Sequence, residues 1–131
     1  MKKLFFLLLM TISSLTTYAQ NSEIVHLRAH KLSVGIRETA GYPITWTVKN
    51  QDVNILIEAH QTKAIVYSAK TQMYYVINQE INTPTKKTWK CKNSEGLTCF
   101  LSIVSDPEYP GILAFEIAFD DMVWYYICTG E

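Results

Sequence analysis

Apolar and polar residues alternate along most of this chain, and a period of two is the signature of half-buried β-strands. The sharpest instance is Thr88–Ile103, TWKCKNSEGLTCFLSI. At its centre Asn93-Ser94-Glu95-Gly96 suits a type I turn, with Asn favoured at the first position and Gly at the fourth. Gly96 can take the left-handed conformation of a three-residue loop closed by a bulge. That loop pairs Asn93 with Leu97, which sets Cys91 opposite Cys99 and Trp89 opposite Leu101. Trp89, Cys91, Leu97, Cys99, Leu101 and Ile103 then share one apolar face.

Upstream, Glu23–Arg37 alternates with a slip of parity. Val25, Leu27 and Ala29 form one apolar set and Leu32, Val34 and Ile36 the other, with the break at His30-Lys31. A bulge there keeps both sets on one core, since a one-residue slip otherwise turns every side chain over. Thr39–Pro43 reads as a turn. Ile44, Trp46 and Val48 form a strand that Asn50-Gln51-Asp52 breaks, and Val53, Ile55, Ile57 and Ala59 form the next. Ala64–Ser68 and Met73–Asn78 pair around Ala69–Gln72, where no Gly or Asn fixes the register, and Glu80–Lys87 reads as a polar loop around Pro84.

Asp106–Gly111 is the strongest loop signal. Beyond it a two-residue loop at Asp120-Asp121 pairs Phe119 with Met122, Ile117 with Trp124, Phe115 with Tyr126 and Leu113 with Cys128, all on one face. No stretch has a helical period. The expected fold is all-β: an antiparallel meander of about 8–10 strands, closed as a small lipocalin-like barrel or folded as a sandwich.

The N-terminus changes the picture of compartment. A basic start (Lys2, Lys3), the apolar run Leu4–Met10 and a small-residue ending Thr17-Tyr18-Ala19 read as a secretory signal peptide over residues 1–19. The run is too short for a stable membrane span. Residues 20–131 then form a single domain exported to the periplasm or beyond, with 10 basic residues against 12 acidic ones. A net charge of −2 with no basic run argues against nucleic acid as a partner. Export permits a disulfide, and the hairpin register assigns it to Cys91 and Cys99, leaving Cys128 free.

Asp52–Ile57, Ile65–Ser68, Gln72–Ile77, the Cys91–Cys99 hairpin and Phe115–Ile127 together resemble a group of small exported Bacteroidota proteins with similar hairpins. The resemblance covers roughly Trp46 to Ile127. It implies an exported β-domain and supplies no catalytic residue.

Candidate chemistry is sparse. His26 and His30 have an i, i+4 spacing, but on a strand they stand about 13 Å apart, too far to share a zinc held at ~2.1 Å. His60 sits in a turn with no local partner. Glu116, Asp120 and Asp121 read as solvated charges, and Cys128 has no evident base beside it. No metal or cofactor is expected. Aromatic rings are the remaining clue: Tyr74, Phe100 and Tyr125 fall on the parity opposite to the inferred core. They either pack in a second covered layer or form an exposed binding patch. The expected function is non-enzymatic binding of a small apolar ligand or a protein, the alternatives being an enzyme with an unrecognised site or a structural envelope domain.

Overall fold

The computed structural model describes residues 24–38 and 42–130. The expected signal peptide lies outside the described residues. Eight strands follow in chain order: β1 (Val25–Ile36), β2 (Thr45–Ala59), β3 (Lys63–Tyr67), β4 (Thr71–Asn82), β5 (Lys86–Asn93), β6 (Thr98–Ser105), β7 (Leu113–Ala118) and β8 (Met122–Gly130). Each pairs antiparallel with the next, and β8 returns to β1, so the meander closes as a barrel rather than a sandwich. Closure pairs every strand on both sides over part of its length, which removes most of the free edge that an open sheet would present.

Local chemistry accounts for the register. The Asn93 N–H donates to Leu97 O and the Gly96 N–H to Asn93 O, both at 3.0 Å, and Gly96 takes φ +83°. The Asn93 side chain caps the turn by accepting from the Glu95 and Leu97 N–H groups. This is the type I turn with a left-handed glycine that the sequence predicts, and Cys91 pairs with Cys99 and Trp89 with Leu101 as expected. The β7–β8 pairs Leu113–Cys128, Phe115–Tyr126 and Ile117–Trp124 also match. In β1 the parity slip is a bulge: the register shifts between Ala29 and Lys31 against both neighbours. Val25, Leu27 and Ala29 before it are buried, and Leu32 after it packs on the same core.

Two expected breaks are absent. Asn50-Gln51-Asp52 does not end a strand; β2 runs through it from Thr45 to Ala59. Asn50 adopts φ 49°, a left-handed conformation that Asn tolerates, and absorbs the extra residue as a bulge. Likewise β4 continues to Asn82, through register shifts after Val76 and Gln79, so the connection to β5 is only residues 83–85.

The interior is apolar and filled: Leu27, Ile57, Val66, Leu101, Ile103, Leu113, Phe115, Ile117 and Tyr126 are almost wholly buried. Charged and polar groups on the outer faces include Arg28, Glu58, Lys90, Lys92 and Glu116. An apolar inside with charges outside is the reverse of a lipid-facing barrel. Among the described residues no helix is long and apolar enough to cross a membrane.

The wall is uneven. β3 has only five residues and meets β2 over four residue pairs, Leu56–Ala59 against Ala64–Tyr67. Among the described residues the rest of β2, Thr45–Ile55, is paired along its β1 side alone.

Candidate functional site

Packing decides where a ligand could enter. A partly enclosed cavity of about 40 Å³ lies at one end of the barrel, lined by His60, Ala64, Val76, Trp89, Leu101 and Phe115. That admits water and little else, against the ~300 Å³ or more of a small-molecule chamber. Near the β4–β5 turn Lys87 is buried, its Nζ donating to Asn82 Oδ1 at 2.8 Å and Thr83 O at 2.7 Å. Burial lowers the pKa of that amine.

The opposite end is open. The β3–β4, β5–β6 and β7–β8 turns surround a recess of about 640 Å³. Phe119, Met122, Trp124 and Leu97 supply apolar surface; Tyr74 and Gln72 come from β4. Leu97, expected on the core face, is 54% exposed here because it sits at the strand end, above the packed layers. A polar chain holds one side: the Tyr74 hydroxyl donates to Gln72 Oε1, Gln72 Nε2 donates to Ser68 Oγ at 3.2 Å, and Ser68 Oγ donates to Lys70 O at 2.7 Å. Burial, the largest cause, and the neighbouring Tyr126 raise the Tyr74 pKa far above the ordinary phenol value, so it remains a donor.

The three aromatics singled out from sequence do not form one exposed surface. Tyr74 points into the barrel and is 4% exposed. Its strand is apolar on both parities, and the outer set is Met73, Tyr75 and Ile77, with Tyr75 and Ile77 exposed. Phe100 is exposed on the outer face, between Lys90 and Ala118. Tyr125 is also outside and half-buried, edge-on to Trp46 with ring centroids 6.2 Å apart. It lines a shallow groove of about 350 Å³ with Val104, Tyr109 and Ile127, and Glu116 stands opposite it. Burial and that carboxylate raise its pKa.

Cys91 and Cys99 face each other inside the barrel as free thiols, and Cys128, opposite Leu113, is also free and buried. Burial pushes their pKa values up to about 12, 11 and 12 respectively. Such thiols are poor nucleophiles in the folded protein.

The outer face near the closed end holds a polar cluster that the sequence did not reveal. Glu58 Oε2 lies 3.2 Å from His26 Nε2, Glu58 Oε1 accepts from the Tyr67 hydroxyl at 2.8 Å, and His60 Nε2 is 3.6 Å from Oε1. His60 thus stands within ion-pair distance of Glu58, although its buried Nε2 makes no hydrogen bond among the described residues. The Tyr67 hydrogen bond is the main reason that the Glu58 carboxyl lies below its ordinary pKa. His30 is occupied elsewhere, at 2.9 Å from Thr129 Oγ1. Among the described residues, no group of three or more His, Cys, Asp or Glu side chains is placed to hold a metal ion.

Phe119, Met122 and Trp124 are the site residues that sequence reasoning assigned to the core. Their one distinguishing signal is proximity to the two-residue turn, which puts them at the rim. In comparisons with known proteins, the chain matches no family model, no curated protein and no solved structure.

Proposed function

We propose that this chain is an exported, non-enzymatic binding protein that takes a small, largely apolar molecule at the open mouth of its barrel. The observation that carries the reading is the contrast between the two ends: a filled interior with a 40 Å³ void, and a 640 Å³ recess walled by Phe119, Met122, Trp124 and Leu97. Apolar walls with a few fixed polar groups are the usual make-up of a small-molecule site. Trp124 supplies a large aromatic face, and the Tyr74–Gln72–Ser68 chain supplies orientation.

Export also bears on the cysteines. In an oxidising compartment Cys91 and Cys99 form a disulfide: two S–H bonds break, one S–S bond forms, and two electrons and two protons pass to a disulfide-bearing oxidant. The opposed register brings the two residues within disulfide reach. Because folding buries both thiols, the exchange occurs before the barrel closes.

The test of binding is a fluorescence titration with anilinonaphthalene sulfonate, an apolar aromatic probe. Trp124→Ala should weaken probe binding at least about tenfold while retaining the β-sheet circular dichroism. Tyr125→Ser, on the outer face, should leave it unchanged. Equal affinity of wild type and Trp124→Ala would overturn the assignment of the site.

A further inference from the structure

Among the described residues, Thr45–Ile55 of β2 are extended, exposed or half-buried, and pair with β1 alone, because β3 stops at Tyr67. An unpaired edge of this length is a template for another strand. We propose that a second copy of this chain fills it, the two β2 edges pairing antiparallel about a two-fold axis between Asn50 and Gln51.

The sequence of the edge selects that partner. In this register Lys49 of one copy faces Asp52 of the other, twice by symmetry, and Val48 faces Val53. Both valines are half-buried, while Lys49 and Asp52 are exposed. Asp52 already pairs with Lys31 on its own chain, yet its side chain is 86% exposed and can take a second cation. Lys31 holds that carboxyl below its ordinary pKa, so it stays charged at neutral pH. The Asn50 bulge lies at the axis, where each copy presents the same two residues to the other and no count mismatch arises. A strand of different sequence offers Lys49 no matching carboxylate, so the charge that discourages stray strands admits a copy of the same chain.

Sedimentation velocity on the purified protein over a concentration series tests this. Wild type should dimerise. Lys49→Glu sets two carboxylates against each other across the axis, and Asp52→Lys sets two ammonium groups together. Each variant alone should raise the dimer dissociation constant at least about tenfold. An equimolar mixture of the two variants should restore a 1:1 dimer, since both contacts then join opposite charges. Circular dichroism of each variant confirms that the barrel persists, as loss of the exposed Lys31–Asp52 pair should cost little. A wild type that stays monomeric throughout overturns the proposal, as do variants that dimerise like wild type or a mixture that fails to re-form the dimer.

Discussion

Gly35→Ala should destabilise the barrel through a single contact. Gly35 lies opposite Trp46 on β2 and Val123 on β8. A Cβ added there would stand 2.2 Å from Ile44 Cγ2 and 3.1 Å from Trp46 Cε3. Unstrained carbon contacts lie at about 3.5–4.0 Å, so Ile44 must retreat by more than an ångström or the strand ends must part. Ile44 is β-branched and its methyl cannot swing clear by a small χ1 change. Trp46 is constrained in turn by its edge-on contact with Tyr125. Inserting atoms into such packing costs about 1–3 kcal/mol. For a domain of about 100 residues, that lowers the melting temperature by roughly 4–12 °C.

The cause can be isolated. Unlike Gly96 and Gly111, with φ +83° and +94°, Gly35 is not left-handed, so alanine adds no backbone strain there. The cost therefore belongs to the clash with Ile44, and removing Ile44 should remove most of it. In a double-mutant cycle by urea denaturation, Ile44→Ala should cost less in the Gly35→Ala background than in wild type, by at least about 1 kcal/mol. Equal m-values across the cycle would confirm that the unfolded states are comparable. A Gly35→Ala variant within about 0.5 kcal/mol of wild type, or a cycle with no coupling, would refute the packing argument.

Other expectations follow from buried polar groups. The Tyr126 hydroxyl is buried with no hydrogen-bond partner among the described residues, so Tyr126→Phe should stabilise the protein by about 1 kcal/mol, and a lower urea midpoint would show that the hydroxyl has a partner. Glu58 has a folded pKa below its ordinary value of 4.5, so its contribution is complete above that pH and disappears as pH falls through the lowered value. Glu58→Gln should accordingly reduce stability at pH 7 and flatten the acid limb of the stability profile; an unchanged limb would mean that Tyr67 and the histidines do not favour the carboxylate. Native exported protein should react slowly with thiol reagents at pH 8, because Cys128, its one remaining thiol, is buried with a raised pKa. After denaturation without reductant, only Cys128 of exported protein should become labelled, and labelling of three thiols would exclude the Cys91–Cys99 disulfide.

Local chemistry explains how much of the fold was legible. The Asn93–Gly96 turn and the Asp120-Asp121 turn each fix a register by themselves, and both hairpins follow from them. The bulge at His30-Lys31 was visible because apolar parity changes there and the buried face cannot. At Asn50 the same device was hidden, since polar residues on an exposed strand leave parity unmarked and Asn both ends strands and bulges them. β4 misled for the opposite reason: Tyr74 and Val76 on one parity and Met73, Tyr75 and Ile77 on the other are all apolar, and only the barrel decides which set is inside.

The recess was not legible, and the reason lies in the geometry of closure rather than in any motif. Ile117 and Phe119, like Trp124 and Tyr126, share a parity and an apolar character; what separates core from binding wall is height along the barrel. Height depends on how neighbouring strands are staggered, a property of the closed ring that no single strand encodes. Tyr126 lies where Phe115 and the strands opposite cover it completely, whereas Trp124, one pleat nearer the turn, is only half-buried. The brevity of β3 acts in the same way. Its five residues satisfy β2 only from Leu56 to Ala59, so among the described residues Thr45–Ile55 keeps an unpaired edge beside the open end. Both features that a partner could use thus arise from the ring as a whole, the apolar mouth from strand stagger and the free edge from the shortness of β3.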